Sequence, residues 1–162
     1  MISASCSHFS SLTLYYGDDD FIAEPEFQWP VHGAVVSQKF RAQKGRHPRR
    51  HQGIDLAAQR NTPIYSIDHG RVIYAGHGFT GYGRLVIVEH INGGYQSLYA
   101  HLNRYKVQRG DVVKKGELLG LMGDSGRATG VHLHFEVHKN DVVLNPLDVL
   151  PQATVVKQTA AP

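Results

Sequence analysis

The chain has 162 residues, 41% of them hydrophobic, which is enough for one domain with a real core and short flanking segments. A net charge of only +3, with the basic residues mostly scattered, argues against a nucleic-acid partner. The single cysteine, Cys6, rules out an internal disulfide, and no run reaches the ~18 apolar residues that a membrane span needs.

Residues 1–28 are Ser-rich, turn acidic at Asp18, Asp19 and Asp20, and show no period, so a tail or linker is expected there. Residues 1–16 lack a basic stretch followed by a sustained apolar run, so no export signal is visible. Ile2 through Ser7 loosely resembles the end of a bacterial lipoprotein signal, with Cys6 as the residue to be acylated. Ser3 departs from that pattern, and an ordinary cysteine is the plainer reading; a lipid anchor at Cys6 is the alternative. The domain is expected over 29–150, with a second tail at 151–162.

Within the domain, 35–40 reads as a first strand, and 41–50 as a polar loop whose basic run Arg46–Arg50 is solvated. Segments 54–58, 62–67, 70–76, 84–90 and 95–101 read as further strands. They are separated by turns at 68–70, at 78–83 and at Asn92-Gly93-Gly94, the last a hairpin signal. Short strands broken by Gly turns follow through 107–122, then a Gly-rich loop, a strand at 131–137 and a closing hairpin over 141–144. Asn145-Pro146-Leu147 ends the sheet, and no amphipathic helix of length is visible. The expected fold is mostly β, an antiparallel and sandwich-like sheet with little helix.

The chemistry concentrates in the strand at 131–137. Its alternation puts His132, His134 and Glu136 on one face and Val131, Leu133, Phe135 and Val137 on the other. The two imidazoles are roughly 7 Å apart at the Cα atoms, close enough to serve one small site, one on a metal and one on a proton. Glu136 is either a partner that orients a histidine or a structural carboxylate. Upstream, His51 and Asp55 lie four residues apart, an even offset that points both the same way on a strand, with Gly53 between them to allow a bend or a close approach by a ligand. A histidine pair beside this His–Asp pair offers N and O donors that suit Zn²⁺, which takes three protein ligands and a water in catalytic sites. His101 closes an apolar run and taken alone reads as a histidine bonded to backbone. His8, His32, His47, His69, His77, His90 and His138 belong to no motif and read as surface or turn residues.

Together, His51-x-Gly53-x-Asp55, Tyr99-Ala100-His101-Leu102 and Gly130-Val131-His132-Leu133-His134-Phe135-Glu136 resemble the LytM/lysostaphin-type zinc metallopeptidases, the M23 peptidase family. The likeness extends to Trp29-Pro30-Val31, Pro63-Ile64-Tyr65-Ser66, Gly81-Tyr82-Gly83 and the run 107–120. It implies a LytM-type β domain that holds one zinc through His51, Asp55 and His134, with His101 and His132 as catalytic histidines. It implies a zinc-dependent endopeptidase that hydrolyses peptide cross-links or bridges of bacterial peptidoglycan, in the cell envelope, the periplasm or secreted. The alternative is a non-hydrolytic peptidoglycan-binding or amidase-activating module, a role taken by relatives with eroded sites. Ser125, Thr129 and Gly130 are small enough to line a groove for the wall peptide. Two departures from the family pattern touch the surroundings of the site: Arg60-Asn61-Thr62 replaces a common Gly turn, and Phe40-Arg41 lacks an intervening Gly.

Overall fold

The computed structural model describes residues 25–41 and 51–152. Cys6, His8, the acidic run 18–20 and the basic run 46–50 with His47 lie outside the described residues. The strands are β1 (Val35–Gln38), β2 (Ile54–Ala57), β3 (Pro63–Tyr65), β4 (Gly70–Gly76), β5 (Arg84–His90), β6 (Tyr95–Tyr105), β7 (Val112–Val113), β8 (Leu118–Met122), β9 (Leu133–Lys139) and β10 (Val142–Leu144). All pair antiparallel, in the order β1-β2-β9-β6-β5-β4-β7, with β10 on β9, β3 on β8 and β8 on the far half of β6. This is the mostly-β antiparallel architecture that the alternating runs and Gly turns call for.

Alternation explains the core. Ile54, Leu56, Tyr99, Leu133, Phe135 and Val137 are buried from neighbouring strands, and the Tyr99 and Phe135 rings meet at 5.3 Å. Burying one such side chain stabilises the fold by about 1.5–3 kcal/mol, so the period-2 pattern sets the register across β2, β9 and β6. The packing reaches back to Phe27, which is buried against Tyr95, and forward to Leu150.

Several expected boundaries move. The strand read at 131–137 begins at Leu133 and runs on to Lys139, because His132 makes only an isolated bridge to Gly123. The run 62–67 pairs only over Pro63–Tyr65, after which Ser66 turns its backbone to Glu117 and Gly116. Asn145-Pro146 does more than end the sheet: it starts a one-turn helix, α1 (Pro146–Val149), with the Asn145 side chain accepting from the Leu147 amide and Pro146 in the first turn. At the turn where a Gly is common, Asn61 adopts φ 66°, a left-handed conformation that asparagine tolerates. An Arg60–Asp124 ion pair spans from this turn to the Gly-rich loop.

His90, read from the sequence as a surface or turn residue, is buried. Its ring bonds the His69 carbonyl at 3.1 Å and the Ser97 hydroxyl at 2.7 Å, and Ser97 donates on to the Tyr99 hydroxyl at 2.9 Å. A buried imidazole remains inside because every polar atom is satisfied.

Gly53 turns the chain from His51 into β2. A Cβ there would lie 2.1 Å from the Phe135 carbonyl oxygen and 2.9 Å from Glu136 Cγ. The close approach is therefore to β9 rather than to a ligand. Gly53→Ala is expected to destabilise the fold by about 3 kcal/mol, since backbone must move. Urea unfolding with an unchanged midpoint would refute this.

Candidate metal centre

Cross-strand register builds the site. Asp55 on β2 stands opposite His134 on β9, and His134 stands opposite Ala100 on β6, so three adjacent strands contribute to one row. His51 precedes β2 and is held by an antiparallel bridge to Arg41. His51 Nε2, Asp55 Oδ1 and His134 Nδ1 form a triangle with sides of 3.0, 2.9 and 3.2 Å. A tetrahedral zinc with ~2.0–2.1 Å bonds requires ligand atoms about 3.3 Å apart, so this donor set fits the ion in type, number and spacing.

The outward nitrogens decide which proton form each ring takes. His51 Nδ1 faces the Lys39 carbonyl at 2.9 Å, His101 Nδ1 the Ser125 carbonyl at 2.8 Å and His132 Nδ1 the Gly130 carbonyl at 2.8 Å. Carbonyls only accept, so each Nδ1 carries the hydrogen and each Nε2 keeps a lone pair in the neutral ring. His134 is reversed. Its Nε2 donates to Glu136 Oε1 at 2.8 Å, which leaves Nδ1 for the metal.

His132 Nε2 lies 3.8 Å from Asp55 Oδ1, beyond the triangle but beside it. The His101 ring lies 4.8 Å from His132 and 5.9 Å from His134. The five residues singled out by motif thus meet at one place. His101 arrives there by a bulge. The β5–β6 register slips by one between Val86↔Tyr99 and Arg84↔Leu102, and His101 takes φ 61°. Tyr99 and Leu102 both enter the main core, while Leu98 and Ala100 pack in a second cluster, so the extra residue turns His101 out toward the metal ligands.

The three small residues expected to line a groove divide. The Ser125 hydroxyl accepts from the Arg84 amide at 2.9 Å and donates to the Leu102 carbonyl at 2.7 Å, and its carbonyl holds His101, so its polar groups bind the protein itself. Gly130 is exposed with its carbonyl on His132, and Thr129 is exposed beside it. Two further residues belong to the site, although motif reading gave neither a role in it. Tyr82 donates its hydroxyl to Glu136 at 2.9 Å, and His138, read as a surface residue, bonds Glu136 Oε2 at 2.7 Å. His138 lies two residues beyond Glu136 on the same strand face, a spacing that could have flagged it.

Charge follows geometry. Burial by itself would lower His134, but its bonds to Asp55 and Glu136 outweigh this and raise it to about 9. The bond to Asp55 likewise raises His51. Burial would raise the carboxyls of Asp55 and Glu136, yet the facing histidines hold both far below the usual range, Glu136 at about 2. Burial pushes His101 down. In the metal-free protein His134 therefore carries a proton throughout neutral pH, and a metal must displace it. Zinc affinity is expected to rise with pH and level off near 9, with proton release at pH 7 measurable by titration calorimetry in buffers of different ionisation heat. An affinity that is flat between pH 6.5 and 9 would contradict this.

Among the described residues, no helix is long and apolar enough to cross a membrane. The sequence profile of peptidase family M23 matches residues 49–146. The chain is 37% identical over 126 residues to the murein hydrolase activator NlpD of Escherichia coli K12, covering 78% of this chain and 31% of that protein. It is 38% identical over 124 residues to the lipoprotein NlpD/LppB homolog of Pseudomonas aeruginosa, covering 76% and 39%. Among solved structures, a zinc containing peptidase from Vibrio cholerae superposes with a TM-score of 0.70 at 33% identity, covering 79% of this chain and 41% of that one. The chain thus spans about a third of the length of the Escherichia coli and Salmonella activators it matches.

Proposed function

The chain belongs to peptidase family M23, and on that premise we propose that it is a zinc-dependent endopeptidase of bacterial peptidoglycan. The observation that carries the reading is the complete set: three donors in one triangle, with His101 and His132 beside them. His51, Asp55 and His134 would hold the ion. Zinc bound there supplies Lewis acidity for a water and for the scissile carbonyl.

The chain's own groups do the rest. His101, kept neutral by burial and holding its Nδ1 hydrogen on the Ser125 carbonyl, presents the Nε2 lone pair as a proton acceptor. His132, oriented by the Gly130 carbonyl, presents Nε2 at the edge of the triangle, where it can position the reacting water or assist the departing amine. The exposed backbone at Thr129 and Gly130 offers a surface on which a wall peptide of small residues can lie. A peptidoglycan substrate calls for a location in the cell envelope, and the lipoprotein names of relatives support that reading. The Pseudomonas relative's name as a lipoprotein supports an anchored form through Cys6, which intact-mass analysis of membrane fractions would show as an acyl adduct.

A second reading follows from the name of the Escherichia relative: a domain that activates another murein hydrolase. Mass spectrometry of fragments released from purified peptidoglycan separates the two. Peptide-bond cleavage by the protein alone, abolished by chelator and restored by zinc, is expected. Fragments that appear only when an amidase is added would favour the activator.

A further inference from the structure

We infer that Tyr82 is a positioning residue that ties the metal ligand His134 to the histidine His101. The inference rests on the zinc-site reading above and extends it to a residue outside the ligand and catalytic sets.

Tyr82 reaches both halves of the site by different atoms. Its hydroxyl donates to Glu136 Oε1 at 2.9 Å, and Glu136 Oε1 receives His134 Nε2 at 2.8 Å. Its backbone carbonyl accepts the His101 amide at 2.9 Å. Its ring stands edge-on to the His134 ring at 5.9 Å. One side chain therefore bears on the ligand's carboxylate while its own peptide unit fixes the bulge that turns His101.

Glu136 is the link. It is 1% exposed, and a carboxylate so buried is stable only with its lone pairs filled. His134 and Tyr82 fill one oxygen, and His138 fills the other at 2.7 Å. Removing the Tyr82 hydroxyl leaves Oε1 with His134 as its one partner among these three. The carboxylate is then free to rotate, and the preference of His134 for the Nε2–H form weakens. Such carboxylate–histidine–metal arrangements tune metal affinity through the orientation of the outer group.

The segment that carries Tyr82 is itself locked. Gly81 and Gly83 flank it at φ 93° and 64°. The Gly81 carbonyl accepts the Arg127 amide at 2.9 Å, and a Cβ on Gly83 would lie 2.4 Å from the Ser125 backbone carbon. The same Ser125 carbonyl holds His101. The loops 81–83 and 123–127 thus form a single clamp behind both histidines, and a tyrosine on a rigid clamp can set orientation.

The test uses the whole chain with Tyr82→Phe, Glu136→Gln and the double variant, each checked for folding by circular dichroism. Zinc affinity is measured by competition with a chromophoric chelator, and the His134 ring is observed by ¹⁵N NMR in the metal-free protein at alkaline pH, where the ring is neutral. Tyr82→Phe is expected to weaken zinc about 10-fold, and Glu136→Gln by about 10- to 100-fold. The His134 nitrogen shifts should move toward a mixed proton form in both. Because Tyr82 acts on the ligand through Glu136, the double variant should lose little more than Glu136→Gln alone. Folded variants with wild-type zinc affinity and unchanged His134 shifts would overturn the inference, as would fully additive losses. A wild-type protein that takes up no zinc would instead sink the metallopeptidase reading.

Discussion

His134→Ala is expected to cost the protein its zinc. His134 supplies the donor that stands 2.9 Å from Asp55 Oδ1 and 3.2 Å from His51 Nε2, so its loss removes one corner of the triangle. Outer-shell changes at such sites already weaken binding 10- to 100-fold, and loss of a direct ligand should exceed that, so more than about 100-fold is expected. Hydrolysis of purified peptidoglycan should fall with it. A stability effect accompanies the loss, since the buried Glu136 loses one hydrogen-bond donor. Tyr82 and His138 remain on it, which limits the cost to about 1–3 kcal/mol. Elemental analysis of the folded variant is the check: one zinc per chain, held as tightly as in the wild type, would show that the ligand set is wrong.

The second large effect separates proton handling from metal binding. His101→Ala and His132→Ala should each retain zinc and fold, because neither ring is a side of the donor triangle. Turnover should nonetheless fall by about 10²-fold or more, the usual loss for a general acid or base. The two substitutions should differ in their pH profiles. Burial lowers His101, so removal of that group should erase the acidic limb of the rate profile rather than shift the alkaline one. Either variant hydrolysing peptidoglycan at the wild-type rate would remove that residue from the mechanism. Zinc lost from either at neutral pH would make the residue a ligand.

Much of this site was legible because its chemistry is written in local spacing. His51 with Asp55 and His132 with His134 sit at even offsets that read as shared strand faces. Asp55 and His134 do lie in β2 and β9, while His51 and His132 stand just before those strands on isolated bridges, close enough in sequence to stay beside their partners. The same alternation marks Ile54, Leu56, Leu133, Phe135 and Val137 as core, and all are buried. Family resemblance then joined pairs that lie some eighty residues apart. Local reading failed where a contact depends on another strand's register. His90 reads as a turn residue until Ser97 and the His69 carbonyl satisfy its ring, whereas His138 has its partner Glu136 two residues away on its own strand face, within reach of a local reading.

The sequence by itself determined the strand periodicity, the Gly and Asn-Pro punctuation, and which residue types could hold a metal or move a proton. Tertiary structure alone decided how they face one another. A one-residue bulge in β6 turns His101 out of the alternation and into the site. Carbonyls of Lys39, Ser125 and Gly130, contributed by segments remote from or adjacent to each ring, choose the free nitrogen of three histidines. Glu136 chooses the opposite nitrogen for His134. The Glu136 choice follows from a two-residue spacing along β9, but the bulge and the carbonyls of Lys39 and Ser125 are not encoded in the spacing of the histidines, because they depend on the register of a neighbouring strand or the path of a loop. Those are fixed only when the whole apolar face is buried at once.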